Sequence, residues 1–164
     1  VTNESVLEQR LGRYSNLQLC FLAFLRVVVG WHFLYEGYVK IISPGWSSAG
    51  YLNAVPGPLA NLFKMIVETP WMLTTADYTM KYGLTAIGIA LILGLFTRLA
   101  SVGAALLLVL FYISNPPWVG VQTALGEGNY LIVNKNLVEF AAVLLLLVFP
   151  SGLVLGFDRL FIKE

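Results

Sequence analysis

His32, Glu36 and Lys40 stand four residues apart in an otherwise apolar run, and Lys135 and Glu139 repeat that interval near the other end of the chain. On a helix, side chains at i and i+4 share one face, so each group predicts a polar stripe. Imidazole and carboxylate groups at such positions accept and deliver protons, and ammonium or guanidinium groups stabilise negative charge in a dry site. Arg26 lies deeper on the first run, within about 40° of the Lys40 direction at roughly 100° per residue. Asn134 and Asn136 flank Lys135. The same charges have a second use, fixing which helix packs on which without any ligand. No metal is expected: His32 is the one histidine, Cys20 the one cysteine, and neither has ligand-type neighbours at coordinating spacing. A thiol relay and a Gly-rich flavin fingerprint are both missing from the sequence.

The elements that position these groups follow from composition. Of the 164 residues 58% are hydrophobic and 12% charged, with mean hydropathy +0.77, against about 25% charged in an average soluble domain. So few charges cannot cover a water-facing surface. A net charge of +1 also gives no basic face for nucleic acid. The bilayer is the expected solvent. Spans of about 20 apolar residues are predicted at 17–42, 79–96, 99–114 and 130–149, with Thr97 and Arg98 as a tight hairpin turn between the middle two. The expected fold class is an all-α integral membrane protein: an antiparallel four-helix transmembrane bundle with short interfacial helices, forming one domain over 1–164.

Around the spans, Ser5 and Glu8 have capping-box spacing. With Val6, Leu7, Leu11 and Tyr14 they predict a short surface helix, and this segment does not read as a cleaved signal peptide. Leu59, Leu62, Phe63, Ile66 and Val67 mark an interfacial helix that Pro70 is expected to end. Ala86, Ala90 and Gly94, with Gly83 and Gly88 adding to them, and Ala100 and Ala104, predict close helix packing. Arg10, Arg13, Arg98, Arg159 and Lys163 fall on one side, which the bias of basic residues assigns to the cytoplasm together with both termini. Lys40 reads as an interfacial anchor.

At about 1.5 Å rise per residue, Glu36 and Lys135 lie about 8–9 Å below the outer edge, and His32 and Glu139 about 14–15 Å. If the first and last spans are neighbours, Glu36 meets Lys135 and His32 meets Glu139. Such a meeting predicts a polar pocket open to the outer face, with Tyr35, Tyr38 and Tyr130 at its mouth.

Four stretches resemble the DoxX-like family, which includes the small membrane subunit of thiosulfate:quinone oxidoreductase. They are residues 26–40 with Arg26, Gly30, Gly37 and Lys40; Gly88 to Gly94 running into Thr97-Arg98; residues 134–140; and Gly156-Phe157-Asp158-Arg159. Lys81-Tyr82-Gly83-Leu84 departs from the acidic residue that many relatives carry there. The resemblance implies a four-helix bundle in a bacterial cytoplasmic (inner) membrane, working beside protein partner subunits with quinone as electron acceptor. The expected function is a membrane subunit of a quinone-linked oxidoreductase. Glu36, Glu139 and His32 would move protons, while Arg26, Lys135, Asn136 and Tyr35 would bind substrate or quinone. The rival readings are a non-catalytic assembly subunit and, with neither inverted repeats nor broken helices to support it, a small transporter.

Overall fold

A computed structural model describes residues 12, 14–117, 131–149 and 151–161. The described residues are helical, with no strand element among them. Helix α1 spans Asn16–Ile42. Ser15 opens it with a capping box: Ser15 Oγ accepts from the Gln18 amide at 3.3 Å, and Gln18 Oε1 accepts from the Ser15 amide at 2.8 Å. The box expected at Ser5 and Glu8, and most of the surface helix around it, lie outside the described residues. Two short helices follow, α2 (Ala49–Ala54) and α3 (Ala60–Glu68). Leu52, Val55 and Phe63 bury one face between them, so α3 is the helix expected at Leu59 to Val67.

α3 stops at Glu68, ahead of Pro70 as expected, and Pro70 itself occupies the first turn of a further helix, α4 (Pro70–Tyr78). Proline suits that position because its missing N–H has no intrahelical partner there anyway. The chain then continues without a break through a π turn at Thr79–Gly83 into α5 (Leu84–Leu93). The helical path that leads into the second expected span therefore begins before Thr79. It stops at Gly94, whose φ of 64° lies in the left-handed region that glycine enters without strain. The Leu95 amide reaches back to the Ala90 carbonyl at 2.9 Å, closing the helix end. Helix α6 (Thr97–Ser114) follows at once, so the tight turn that was expected falls on Gly94, Leu95 and Phe96, and Thr97 and Arg98 open the next helix instead of forming the turn.

Helix α7 spans Lys135–Val148, starting after the expected 130. Asn134 caps it, Oδ1 accepting from the Leu137 amide at 3.0 Å. The approach to it is held by the Tyr112 hydroxyl, which donates to the Ile132 carbonyl at 2.7 Å. Two short 3-10 turns, Ser151–Leu153 and Phe157–Phe161, close the described chain.

One apolar core takes Val29 and Phe33 from α1, Leu84 and Leu91 from α5, Ala100, Ala104 and Leu108 from α6, and Val143 and Leu146 from α7. The helices associate as two tight pairs, α1 with α5 and α6 with α7. The first pair closes on glycines. A Cβ at Gly88 would meet the Leu34 backbone, and one at Gly30 would come within 2.9 Å of the Ile92 amide. Gly88, expected to add to the packing face, carries it, whereas Ala86 is exposed and Gly94 sits in the turn, which corrects the expected Ala86–Ala90–Gly94 row. Ala100 and Ala104 are buried as expected. The outer faces stay apolar, with Phe21, Phe24 and Trp31 on α1 and Leu99 and Leu106 on α6 all more than 60% exposed. α1 and α6 are each long and apolar enough to cross a membrane.

Candidate functional site

Where the two helix pairs meet, at the α1 C-terminal end, they leave a cavity of about 480 Å³. That lies within the range of roughly 300–1,000 Å³ usual for small-molecule sites. From α1 come His32, Phe33, Glu36 and Lys40, one helical stripe, as the i, i+4 spacing requires. From α7 come Lys135, Asn136 and Glu139. Trp46, Tyr51 and Phe111 add aromatic walls, Met80 enters from the π turn, and Asn115 closes the α6 end.

His32 Nδ1 stands 2.7 Å from Glu139 Oε1, joining α1 to α7. An ionised carboxylate only accepts, so with Glu139 charged this bond needs a proton on Nδ1. The other ring nitrogen, Nε2, lies 3.9 Å from Glu36 Oε1, beyond direct hydrogen-bond reach and close enough for one bridging water. The imidazole thus stands between two carboxylates. Glu139 is the sheltered one, its side chain 11% exposed, against 46% for Glu36. A chain of acid–base groups runs from the open rim inward.

The other expected pair is not formed. Glu36 Oε2 takes its hydrogen bond from Lys40 Nζ at 2.6 Å, on the same helix, rather than from Lys135. Lys135 lines the same cavity. Lys40, read from sequence as an anchor, is therefore a cavity residue. Its Nζ also lies 5.7 Å from the centre of the Trp46 ring, and Lys81 Nζ lies 5.4 Å from it, both within cation–π range. Two residues after Trp46, the Ser48 amide and hydroxyl each donate to Asp77 Oδ1 at 2.6 Å. Partial burial acts to raise the Asp77 pKa, but the Ser48 bonds and the nearby Lys81 charge outweigh it and hold that carboxyl below its ordinary value.

Two expected site residues stand elsewhere. Tyr35 is 55% exposed on the outer face of α1, and Tyr38 is likewise exposed, so neither lines the cavity; Tyr130 lies outside the described residues. Arg26 is 1% exposed at the opposite end of the molecule. Its guanidinium donates to the Ser151 carbonyl at 2.6 Å and to the Val154 and Leu155 carbonyls at 3.2 Å. Asp158 completes that knot, accepting from the Thr97 amide at 3.0 Å and donating its own amide to the Gly94 carbonyl at 2.8 Å. Gly152 and Gly156 are required there because a Cβ on either would strike Asp158, Thr97 or Arg26. Arg26 is a staple for the chain end. Among the described residues no cluster of His, Cys, Asp and Glu is arranged to hold a metal.

The knot joins three stretches whose likeness to one family was noted from sequence: Arg26, the turn at Thr97 and Gly156-Phe157-Asp158. Neither curated proteins nor solved structures give a match to the chain. The DoxX family model matches residues 21–115, which run from α1 through α6 and stop short of α7. That match covers more than half of the sequence, and with two helices apolar enough to span a membrane it identifies the chain as a member of the DoxX family, whose proteins are generally membrane-associated and often redox-linked.

Proposed function

We infer that this DoxX-family chain is an integral subunit of a quinone-linked oxidoreductase in a bacterial cytoplasmic membrane. Its four apolar helical stretches cross the bilayer antiparallel, with both termini on the cytoplasmic side and the cavity opening outward. The observation that carries the reading is the 2.7 Å His32–Glu139 hydrogen bond inside a cavity of about 480 Å³ with flat aromatic walls.

The residues present fit a quinone head group. A quinone is an uncharged ring with two opposed carbonyl oxygens, and its reduction takes up two electrons and two protons. Electrons would come from a partner subunit, since no thiol pair or flavin fingerprint occurs in the chain. Lys40, Lys135 and Asn136 offer donors to a developing oxyanion, an interaction that strengthens as charge develops. His32 would release a proton to the reduced oxygen and recover it through Glu139 or, by one water, through Glu36. Phe33, Trp46 and Phe111 would exclude bulk water from the ring faces. Arg26 and Tyr35, first expected to bind ligand, have no place in this account.

The test uses Glu139→Gln in purified full-length protein. The glutamine still accepts from His32 Nδ1 but carries no titrating proton. Helix content and thermal stability should stay near wild type. Decylubiquinone should still bind, measured by quenching of Trp46 fluorescence against a Trp46→Phe control, while quinone-linked turnover in host membranes falls about 100-fold, the usual weight of a lost general acid–base. No quinone binding by the wild type, with turnover indifferent to Glu139→Gln, would refute the reading. Co-purification with a larger complex that also ignores Glu36→Gln would then favour the assembly role.

A further inference from the structure

Asn115 closes the cavity at the α6 end and is 7% exposed. Its backbone amide is committed to the Phe111 carbonyl at 3.0 Å, so what it offers a ligand is its carboxamide. The Oδ1 of that carboxamide is enclosed and has no hydrogen-bond partner among the described residues. A buried polar atom without a partner is costly and is normally satisfied by something. The charged groups and the imidazole of the cavity lining come from α1 and α7, whereas Asn115 comes from the end of α6, beyond Phe111. The charges are balanced as well. Lys40, Lys135 and nearby Lys81 face Glu36, Glu139 and nearby Asp77, an arrangement that disfavours a ligand with net charge.

We propose that Asn115 is the second polar pole of the cavity, binding the oxygen of an uncharged ring opposite the one held at His32 and Glu139. The proposal rests on the quinone reading and adds to it a ligand with two opposed oxygens and a residue for the second. Asparagine suits both redox forms. Its NH₂ donates to a quinone carbonyl, and its C=O accepts from a quinol hydroxyl; a half-turn of the amide exchanges them. The ligand therefore keeps a partner at this pole before and after reduction, with no proton moved by Asn115 itself. Asn115 is a binding residue, with His32 and Glu139 retaining the proton chemistry.

The experiment measures dissociation constants of decylubiquinone and decylubiquinol on purified full-length protein. Asn115→Leu should weaken both forms by about tenfold, the size of one lost buried hydrogen bond. Asn115→Asp loses the donor and keeps the acceptor, so the quinone should weaken by about tenfold or more while the quinol stays within about twofold. Anthraquinone-2-sulfonate, whose charge unbalances the cavity, should bind more weakly than decylubiquinone. The second pole is overturned if Asn115→Leu changes neither constant, or if Asn115→Asp weakens both forms alike, as a packing role would. Tighter binding of the sulfonate overturns the uncharged ligand. If the wild type binds both forms and Asn115→Leu changes neither constant, only the pole fails; if the wild type binds neither form, the quinone reading fails and takes the pole with it.

Discussion

Gly88→Ala sets two effects of opposite sign against each other. Glycine inside a helix costs about 1 kcal/mol relative to alanine, so propensity alone predicts a more stable protein. Packing predicts the reverse. A Cβ at Gly88 would stand 2.6 Å from the Leu34 Cα and 2.7 Å from the Gly30 carbonyl oxygen, and closer still to the Leu34 amide. Ordinary contact begins near 3.4 Å, so α1 must retreat from α5 by at least about 0.8 Å, and the atoms in the way are backbone that cannot rotate aside. Overpacking of this kind costs about 1–3 kcal/mol, enough to outweigh the gain. Leu34 is two residues from His32 and two from Glu36, so the retreat moves both. Thermal unfolding in detergent, followed by Trp fluorescence, should show a lower Tm for Gly88→Ala. Gly50→Ala, where a Cβ meets nothing within 4 Å, should leave Tm unchanged or raise it. A Gly88→Ala protein at least as stable as the parent would refute the close approach of α1 and α5.

Two further perturbations probe the ends of the bundle. Arg26→Met keeps the side-chain volume but leaves the Ser151, Val154 and Leu155 carbonyls without their donor; a loss of about 3–5 kcal/mol is expected for breaking a buried charged cluster. It should appear as a lowered Tm and faster proteolysis after residue 149, with Arg26→Lys intermediate, and unchanged proteolysis would remove Arg26 from the anchoring of the chain end. At the cavity end, Asp77→Asn should destabilise at neutral pH. The folded carboxyl titrates below its ordinary value of 3.8, so its contribution is present above that value and disappears as pH falls through the folded one. The Tm gap between wild type and variant should hold between about pH 5 and 7 and close below about pH 4; a gap that persists in acid would mean that Ser48 does not recognise the charge.

The meeting of His32 with Glu139 was legible in the sequence because each lies at a countable distance along an apolar run. The match survived although α7 begins five residues after the expected span start. Glu36 was misassigned for a local reason: Lys40 is its i, i+4 neighbour, and a long ammonium chain at a helix end serves as readily for a partner as for an anchor. Arg26 could not be placed because its partners are backbone carbonyls, which leave no mark in side-chain type. The glycine seam was only partly read on α5, with Gly88 grouped beside the Ala86 row, because that helix is apolar on every side and no polarity contrast distinguishes the face of Gly88 from that of Ala86. Pro70 ends one helix and begins another with the same residue, and the π turn that follows leaves no trace in hydropathy. In the sequence Asn115 precedes Pro116-Pro117 after the third apolar run and reads as part of a helix stop, and only its burial beside a cavity separates it from one.

The two tight helix pairs explain why chemistry and assembly are hard to separate here, and which variants separate them. The glycine seam commits α1 to α5, and small residues commit α6 to α7, so the cavity lies at the junction where α1 meets α7 only sparsely. At that junction the His32–Glu139 bond is both a cross-link between the pairs and a proton path. Glu139→Ala removes both and would fail under either account. Glu139→Gln keeps an acceptor for His32 Nδ1 and removes only the titrating proton. His32→Asn makes the complementary cut, offering a donor to Glu139 while ending any transfer toward Glu36. A scaffold tolerates both substitutions, because each preserves a hydrogen bond between α1 and α7. A proton-moving site tolerates neither, because each interrupts the same path at a different atom.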